Sequence, residues 1–349
     1  MKATQKLRIG ARILAAKATH SARPFFVQYS LLNACNAACV YCNSPKRRDT
    51  QLSTQDHFRI LGDFARAGAA RIKLLGGEPL LRPDIGDIVE HIQKLGMRSA
   101  MVTNGFLVPD RFDVIRQLDE LVISIDGNEQ AHDAQRGNGT WARTMRAIEL
   151  CAAEKIDFFL SAVVTAQSER DIDWLVNLAR RFGVMVNFQI PQFNPEMYGP
   201  LARQVMPSDE GLRRILDKII SAKEGGAPVL FSAQSYRRTL AWRDFATERI
   251  EHPGEPTPCT AGTFFVHMEP NGDIYPCVLH IGQFSPKNAL SDGLDAALAQ
   301  ARCHSCFSCY NTWLNENRAI FDLQPAILMN FWHNYLRPGR SASVSPSIS

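Results

Sequence analysis

Between residue 25 and about residue 190, short apolar runs alternate with longer amphipathic stretches. The runs at 25–31, 71–75, 98–103, 121–125, 157–164 and 184–190 read as strands. Patterns of helical period lie between them, as in Thr54–Ala67, Asp84–Leu95 and Trp141–Lys155. Strand and helix in strict alternation predict an α/β fold built on a parallel sheet. From Pro191 to Pro258 the pattern loosens. A well-capped helix is predicted from Ser208 to Lys223, stopping at Gly225-Gly226, and a second over Ala233–Phe245. Glu251-His-Pro-Gly-Glu-Pro-Thr-Pro258 reads as a stiff linker and the main domain boundary. Beyond it, Thr263–Glu269, the turn Pro270-Asn-Gly-Asp273 and Ile274–Cys277 read as a hairpin. Trp313–Leu336 is aromatic-rich and interrupted by Pro325, and Ser341–Ser349 reads as a disordered tail. The expected division is therefore 1–24, 25–190, 191–255, 256–312, 313–340 and 341–349.

The 349 residues suffice for one large core and a smaller satellite. A hydrophobic fraction of 45% and a charged fraction of 21% fit a globular enzyme, and a net charge of +4 gives no case for nucleic acid. No apolar run approaches the roughly 20 residues of a membrane span. Before Asp49 there is no acidic residue, while Lys2, Lys6, Arg8, Arg12, Lys17 and Arg23 are basic. Arg12 and Lys17 interrupt any signal-peptide core, which argues against export and for a cytoplasmic protein. Residues 5–18 can form a basic amphipathic helix, suited to the bottom of the fold or to peripheral contact with an anionic membrane.

Cysteine placement changes the picture most. Three of the nine stand at Cys35, Cys39 and Cys42, just after the first strand. Five more stand at 259, 277, 303, 306 and 309, and Cys151 is alone on an apolar helix, as a core thiol would be. Three thiolates on one loop leave one iron of a [4Fe–4S] cube open to a non-protein ligand. A structural zinc site would want a fourth ligand nearby, and an odd trio has no obvious disulfide partners.

The motif Cys35-x3-Cys39-Val-Tyr41-Cys42 resembles the CxxxCxΦC signature of the radical SAM superfamily, with Tyr41 in the aromatic place that lies against the adenine of S-adenosylmethionine (SAM). The resemblance implies an open (β/α)6 partial TIM-type barrel. It also implies a SAM-chelating [4Fe–4S] cluster fed by a reductant such as flavodoxin or ferredoxin. Reductive cleavage of SAM would then give a 5′-deoxyadenosyl radical that abstracts hydrogen from substrate. Chemistry in such barrels collects at the C-terminal ends of strands. There Leu75-Gly76-Gly77-Glu78-Pro79 resembles the motif that holds the SAM amino group, which assigns Gly77 and Glu78 to SAM. Thr103 and Ser124 match positions that contact SAM in related molybdopterin-precursor cyclases. Arg136, in His132-Asp-Ala-Gln-Arg136-Gly, is a candidate for the SAM carboxylate. No GxIxGxxE motif stands at strand five, where the chain reads Ala162-Val-Val-Thr-Ala-Gln167.

Cys259-x12-Gly272-x4-Cys277, followed by Cys303-x2-Cys306-x2-Cys309, resembles the SPASM/twitch regions that bind auxiliary iron–sulfur clusters. Two full clusters need eight thiolates and five are present, so one auxiliary [4Fe–4S] cluster with four ligands and one spare is expected. Cys259, Cys277 and Cys306 are expected ligands, Cys303 or Cys309 completes the set, and four thiolates could also hold zinc. His267 and His280 are expected as ordinary hydrogen-bonded residues rather than ligands. Related enzymes with auxiliary clusters include peptide maturases, sulfatase-maturing enzymes and small-molecule dehydrogenases. Only 34 residues precede Cys35, which leads to the expectation of a small-molecule, sugar or lipid-type substrate. A peptide or protein maturase is the alternative, and a metal-binding scaffold without SAM chemistry a second. No feature names a catalytic acid or base.

Overall fold

The computed structural model describes residues 23–47, 50–199, 202–250 and 259–331. The expected basic helix at 5–18, the linker at 251–258 and the tail at 341–349 lie outside the described residues, as do residues 332–340.

Six strands form where the apolar runs predict them: β1 Phe26–Ser30, β2 Arg71–Leu75, β3 Arg98–Thr103, β4 Glu120–Ser124, β5 Phe158–Val163 and β6 Met185–Gln189. Every neighbouring pair among them is parallel, in sequence order. Helices return the chain between strands, beginning with α1 Thr54–Ala67 and α2 Ile85–Lys94. Alternation along each strand decides which side chains meet those helices. Val27, Tyr29, Ile72, Leu74, Leu121 and Ile123 point outward into the main core, so Gln28, Lys73, Glu120 and Ser124 face the interior of the barrel.

α1 shows how local sequence sets an element. Ser53 accepts from Asp56 N, Asp56 answers from the third position, and Gly68 ends the helix with φ +99°. The stripe Ile60, Leu61 and Phe64 is fully buried, about 1.5–3 kcal/mol for each side chain. The later helix Asp209–Glu224 is capped by Ser208, one residue from its predicted start.

The cysteine-rich segment does not stand apart from this sheet. The hairpin forms as Phe265–Met268 and Asp273–Tyr275, antiparallel to one another. Its first strand pairs in parallel with β1, placing His267 level with Gln28, and a short strand at Lys287–Asn288 completes a nine-stranded sheet. A separate two-stranded ribbon joins Arg249–Ile250 to Ser308–Cys309. The aromatic-rich region forms helices Thr312–Phe321 and Pro325–Phe331, with Pro325 opening the second. Phe321 packs on Phe25, Phe26 and Phe264, covering the N-terminal end of β1 and leaving its C-terminal end to the cysteine loop.

Candidate active site

The loop carrying Cys35, Cys39 and Cys42 leaves β1 and lies backbone-to-backbone against the turn after β2. Gly77 N donates to Leu32 O at 2.7 Å and Glu78 N to Ala34 O at 3.0 Å. A Cβ at Gly77 would lie 2.0 Å from Ala34 O, and one at Gly76, where φ is +133°, 2.3 Å from Leu32 O. Both glycines are therefore dictated by close approach. Gly77 thus shapes the cysteine loop directly.

The three thiols are half-buried and free, and Cys42 lies near enough to act on both Cys35 and Cys39. Burial pushes Cys39 up to about 11, with Arg136 opposing, and raises Cys35, whose sulfur accepts from Ala37 N at 3.4 Å and Asn104 Nδ2 at 3.8 Å. Two of these thiols resist ionisation without a cation and Cys35 is met by N–H donors, which suits a metal cluster, whose charge reverses that resistance.

Around this loop the strand tips form two polar knots. In the first, Glu78 is fully buried and accepts from Thr103 Oγ1 at 2.9 Å, Leu80 N at 3.1 Å and Asn104 N at 2.8 Å. Burial raises its carboxyl to about 7, against those three donors. Thr103 is spent in the same knot, since its hydroxyl also accepts from Gly105 N at 3.0 Å. Glu78 and Thr103 therefore brace the tips of β2 and β3 and orient Asn104 toward Cys35.

The second knot centres on Asp126, which the sequence reading passed over. Its carboxylate is fully buried and takes Arg136 in a two-pronged pair, the Tyr41 hydroxyl at 2.8 Å and Val163 N at 2.9 Å. Burial would raise the Asp126 carboxyl, but Arg136 outweighs it and holds the group below its ordinary range. Arg136 is thus committed to Asp126, where the sequence reading assigned it to a ligand carboxylate, and its guanidinium lies 5.8 Å from the Tyr41 ring centre. Ser124 differs from these residues. It stands level with Ser161 on the interior face, and its hydroxyl has no hydrogen-bond partner among the described residues.

Four of the five C-terminal cysteines converge. The Cys306 thiol hydrogen-bonds Cys259, which lowers Cys259 to about 7 and raises Cys306. Burial raises Cys277, and raises Cys309 to about 12, with Cys259 adding to both. Cys303 falls outside the set: it is exposed, and its sulfur lies 3.4 Å from Ala299 O. Four neighbouring thiols, three of them buried and one half-buried, suit a fully ligated cluster.

A single strap, Pro191–Gly199, touches both thiol sets. At one end Tyr198 bridges Cys42, with Asn43 N donating to Met197 O at 3.0 Å and Gly199 N to Tyr41 O at 3.2 Å. At the other, Gln192 hydrogen-bonds Cys309 and accepts from Asn311 Nδ2 at 2.8 Å. Between them, buried Asn194 donates to the carbonyls of Val278, Leu279 and Ile281 at 3.1–3.2 Å, just past Cys277. Nothing in local periodicity marks these residues. Their amides after a strand end were the only available signal.

A partial barrel with three thiols at the mouth of β1 and four more beside it defines an iron–sulfur enzyme class. Residues 29–179 match the Radical SAM superfamily. Mycofactocin maturase MftC of Mycolicibacterium smegmatis is 30% identical over 279 residues, 77% of this chain and 68% of that protein. An AdoMet-dependent heme synthase of Methanosarcina barkeri is 26% identical over 270 residues, covering 73% and 76%. The PqqA peptide cyclase of Gluconobacter oxydans is 25% identical over 289 residues, covering 79% and 76%. In fold, the chain is similar to Streptococcus suis SuiB bound to the precursor peptide SuiA, with TM-score 0.63, 17% identity and coverage of 91% and 79%. The chain belongs to the radical SAM superfamily. It is an enzyme using SAM and a [4Fe–4S] cluster, with a SPASM/twitch-type cysteine-rich region suited to an auxiliary cluster, and the scaffold reading is set aside. Against the expected small-molecule substrate, the likenesses to the mycofactocin maturase, the PqqA peptide cyclase and SuiB favour the peptide alternative. No helix among the described residues is long and apolar enough to cross a membrane.

Proposed function

We propose that this chain is a radical SAM maturase acting on a peptide or protein, with the auxiliary cluster assisting oxidation or bond formation. The observation that carries the reading is the strap that touches both the three-thiol and the four-thiol sets, which supports two clusters working in one framework. The peptide substrate is supported by the likeness to the PqqA peptide cyclase. When bound, the cluster and SAM supply a 5′-deoxyadenosyl radical for hydrogen abstraction. Cys35, Cys39 and Cys42 hold the first cluster, and Cys259, Cys277, Cys306 and Cys309 the second. Tyr41, Gly77 and Ser124 border the SAM space directly. Glu78, Thr103 and Arg136 shape it through the two polar knots. A cytoplasmic flavodoxin or ferredoxin supplies electrons.

The test is anaerobic turnover with SAM and a library of short synthetic peptides. The expected result is peptide-dependent 5′-deoxyadenosine formation together with a mass change in one peptide. The likeness to a heme synthase favours a second reading, a tetrapyrrole substrate. Stimulation by an iron porphyrin but by no peptide would replace the first reading with the second.

A further inference from the structure

The four auxiliary thiols have a polar neighbour with nothing to do. His280, in the turn directly after Cys277, is 5% exposed, and its Nε2 is buried without a hydrogen-bond partner among the described residues. Leaving such a group unpaired when buried is costly. One ring nitrogen of His280, one of His304 and the sulfur of Cys306 all lie within 4.8 Å of one another. The two imidazole rings sit 5.4 Å apart at a 54° tilt.

The two histidines are not equivalent. His304 is fully engaged: Nε2 lies 2.7 Å from Ala261 O and so carries the proton, while Nδ1 accepts from Cys306 N at 3.1 Å. It positions Cys306 through the backbone. His280 has no such engagement and faces the sulfur.

A mononuclear metal on His280, His304 and Cys306 would have to break one of the two His304 bonds and take Cys306 away from Cys259. A cube held by four thiolates needs no fifth ligand. What it does respond to is hydrogen bonding to its sulfurs, which stabilises the extra negative charge of the reduced state and raises the potential.

We infer that His280 is a positioning residue that donates an N–H···S hydrogen bond to Cys306 of the auxiliary cluster and thereby raises its reduction potential. This rests on the reading of Cys259, Cys277, Cys306 and Cys309 as the cluster ligands.

The experiment isolates that cluster. Full-length chain with Cys35, Cys39 and Cys42 replaced by Ala is reconstituted anaerobically, its iron counted, and its cluster titrated potentiometrically by electron paramagnetic resonance. His280→Leu is expected to keep about four irons per chain and to shift the midpoint to a more negative potential. His280→Gln keeps an N–H donor and should stay near the parent. Pulsed resonance on the parent should show a weak histidine nitrogen coupling that His280→Gln abolishes, a readout that stands even if His280→Leu fails to fold. An unmoved potential in His280→Leu, or no nitrogen coupling in the parent, overturns the inference. So does loss of the cluster in both His280 variants, which would make His280 a ligand. Failure of the four-thiol reading looks different: the parent itself then holds no iron, or holds zinc.

Discussion

Asp126 holds Arg136 by two bonds at once, Nε to Oδ2 at 2.6 Å and Nη2 to Oδ1 at 3.0 Å, and neither residue meets appreciable solvent. Removing one partner of such a pair strands the other as an uncompensated buried charge. Arg136→Met should therefore cost about 3–5 kcal/mol in denaturant unfolding, whereas adding Asp126→Asn should restore much of the loss. A double variant whose loss equals the sum of the two single losses would show that the pair is not coupled.

Two glycines give opposite forecasts. Gly77→Ala pushes a methyl into Ala34 O, so the cysteine loop must move. The expected outcome is a folded chain that retains the auxiliary irons but loses most of the SAM cluster, with reconstituted iron falling from about eight toward four. Gly62→Ala, inside α1, meets only the flexible Arg66 end at 3.5 Å. It should stabilise by about 0.5–1 kcal/mol.

The spare cysteine can be read by iron count. Cys303→Ala should leave both clusters intact, because that sulfur is exposed and outside the converging four. Cys309→Ala should lose about four irons and weaken the C-terminal region, since metal binding and folding are coupled at such sites. Equal iron in the two variants would reverse this choice.

Stability should fall in mild acid through His57, which is fully buried and whose Nδ1 is hydrogen-bonded with the Tyr29 hydroxyl at 2.9 Å. Burial depresses its folded value to about 4, below the ordinary 6.5. Between those values the unfolded chain binds the extra proton. The stability His57 contributes is therefore complete above about pH 6.5 and lost as pH falls toward 4, at most about 1.4 kcal/mol per pH unit. His57→Gln should remove that increment from the slope measured by urea unfolding between pH 7 and 5.

Much of the barrel was legible because its signals are local. The six apolar runs fall within a residue or two of the six strands, and Ser208 and Gly225 bracket a helix as their chemistry requires. The cysteine trio declared itself by spacing. Pairings between distant segments were hidden. Nothing around Phe265 says that it will lie beside Phe26 in parallel, because strand pairing over a long loop leaves no periodicity behind. The same limit explains Arg136. As an isolated guanidinium near a strand tip it suits a ligand carboxylate, and only the fold reveals that Asp126 already occupies it. Asp126 sits in the loop that leads to Arg136, so an acidic residue ten positions before an arginine was the one available hint. His280 and Asn194 gave still less, since their partners come from other segments.

The strap from Pro191 to Gly199 bears on how this chain could exchange parts with its relatives. A chimera cut after β6 would keep the Cys42 loop of one parent and take Tyr198 from the other. One cut before Phe265 would import a foreign strand against β1. Recombination that respects these contacts must move the strap, the Cys42 loop and the strand beside β1 as one block, so the cysteine-rich region is poorly suited to exchange as a cassette.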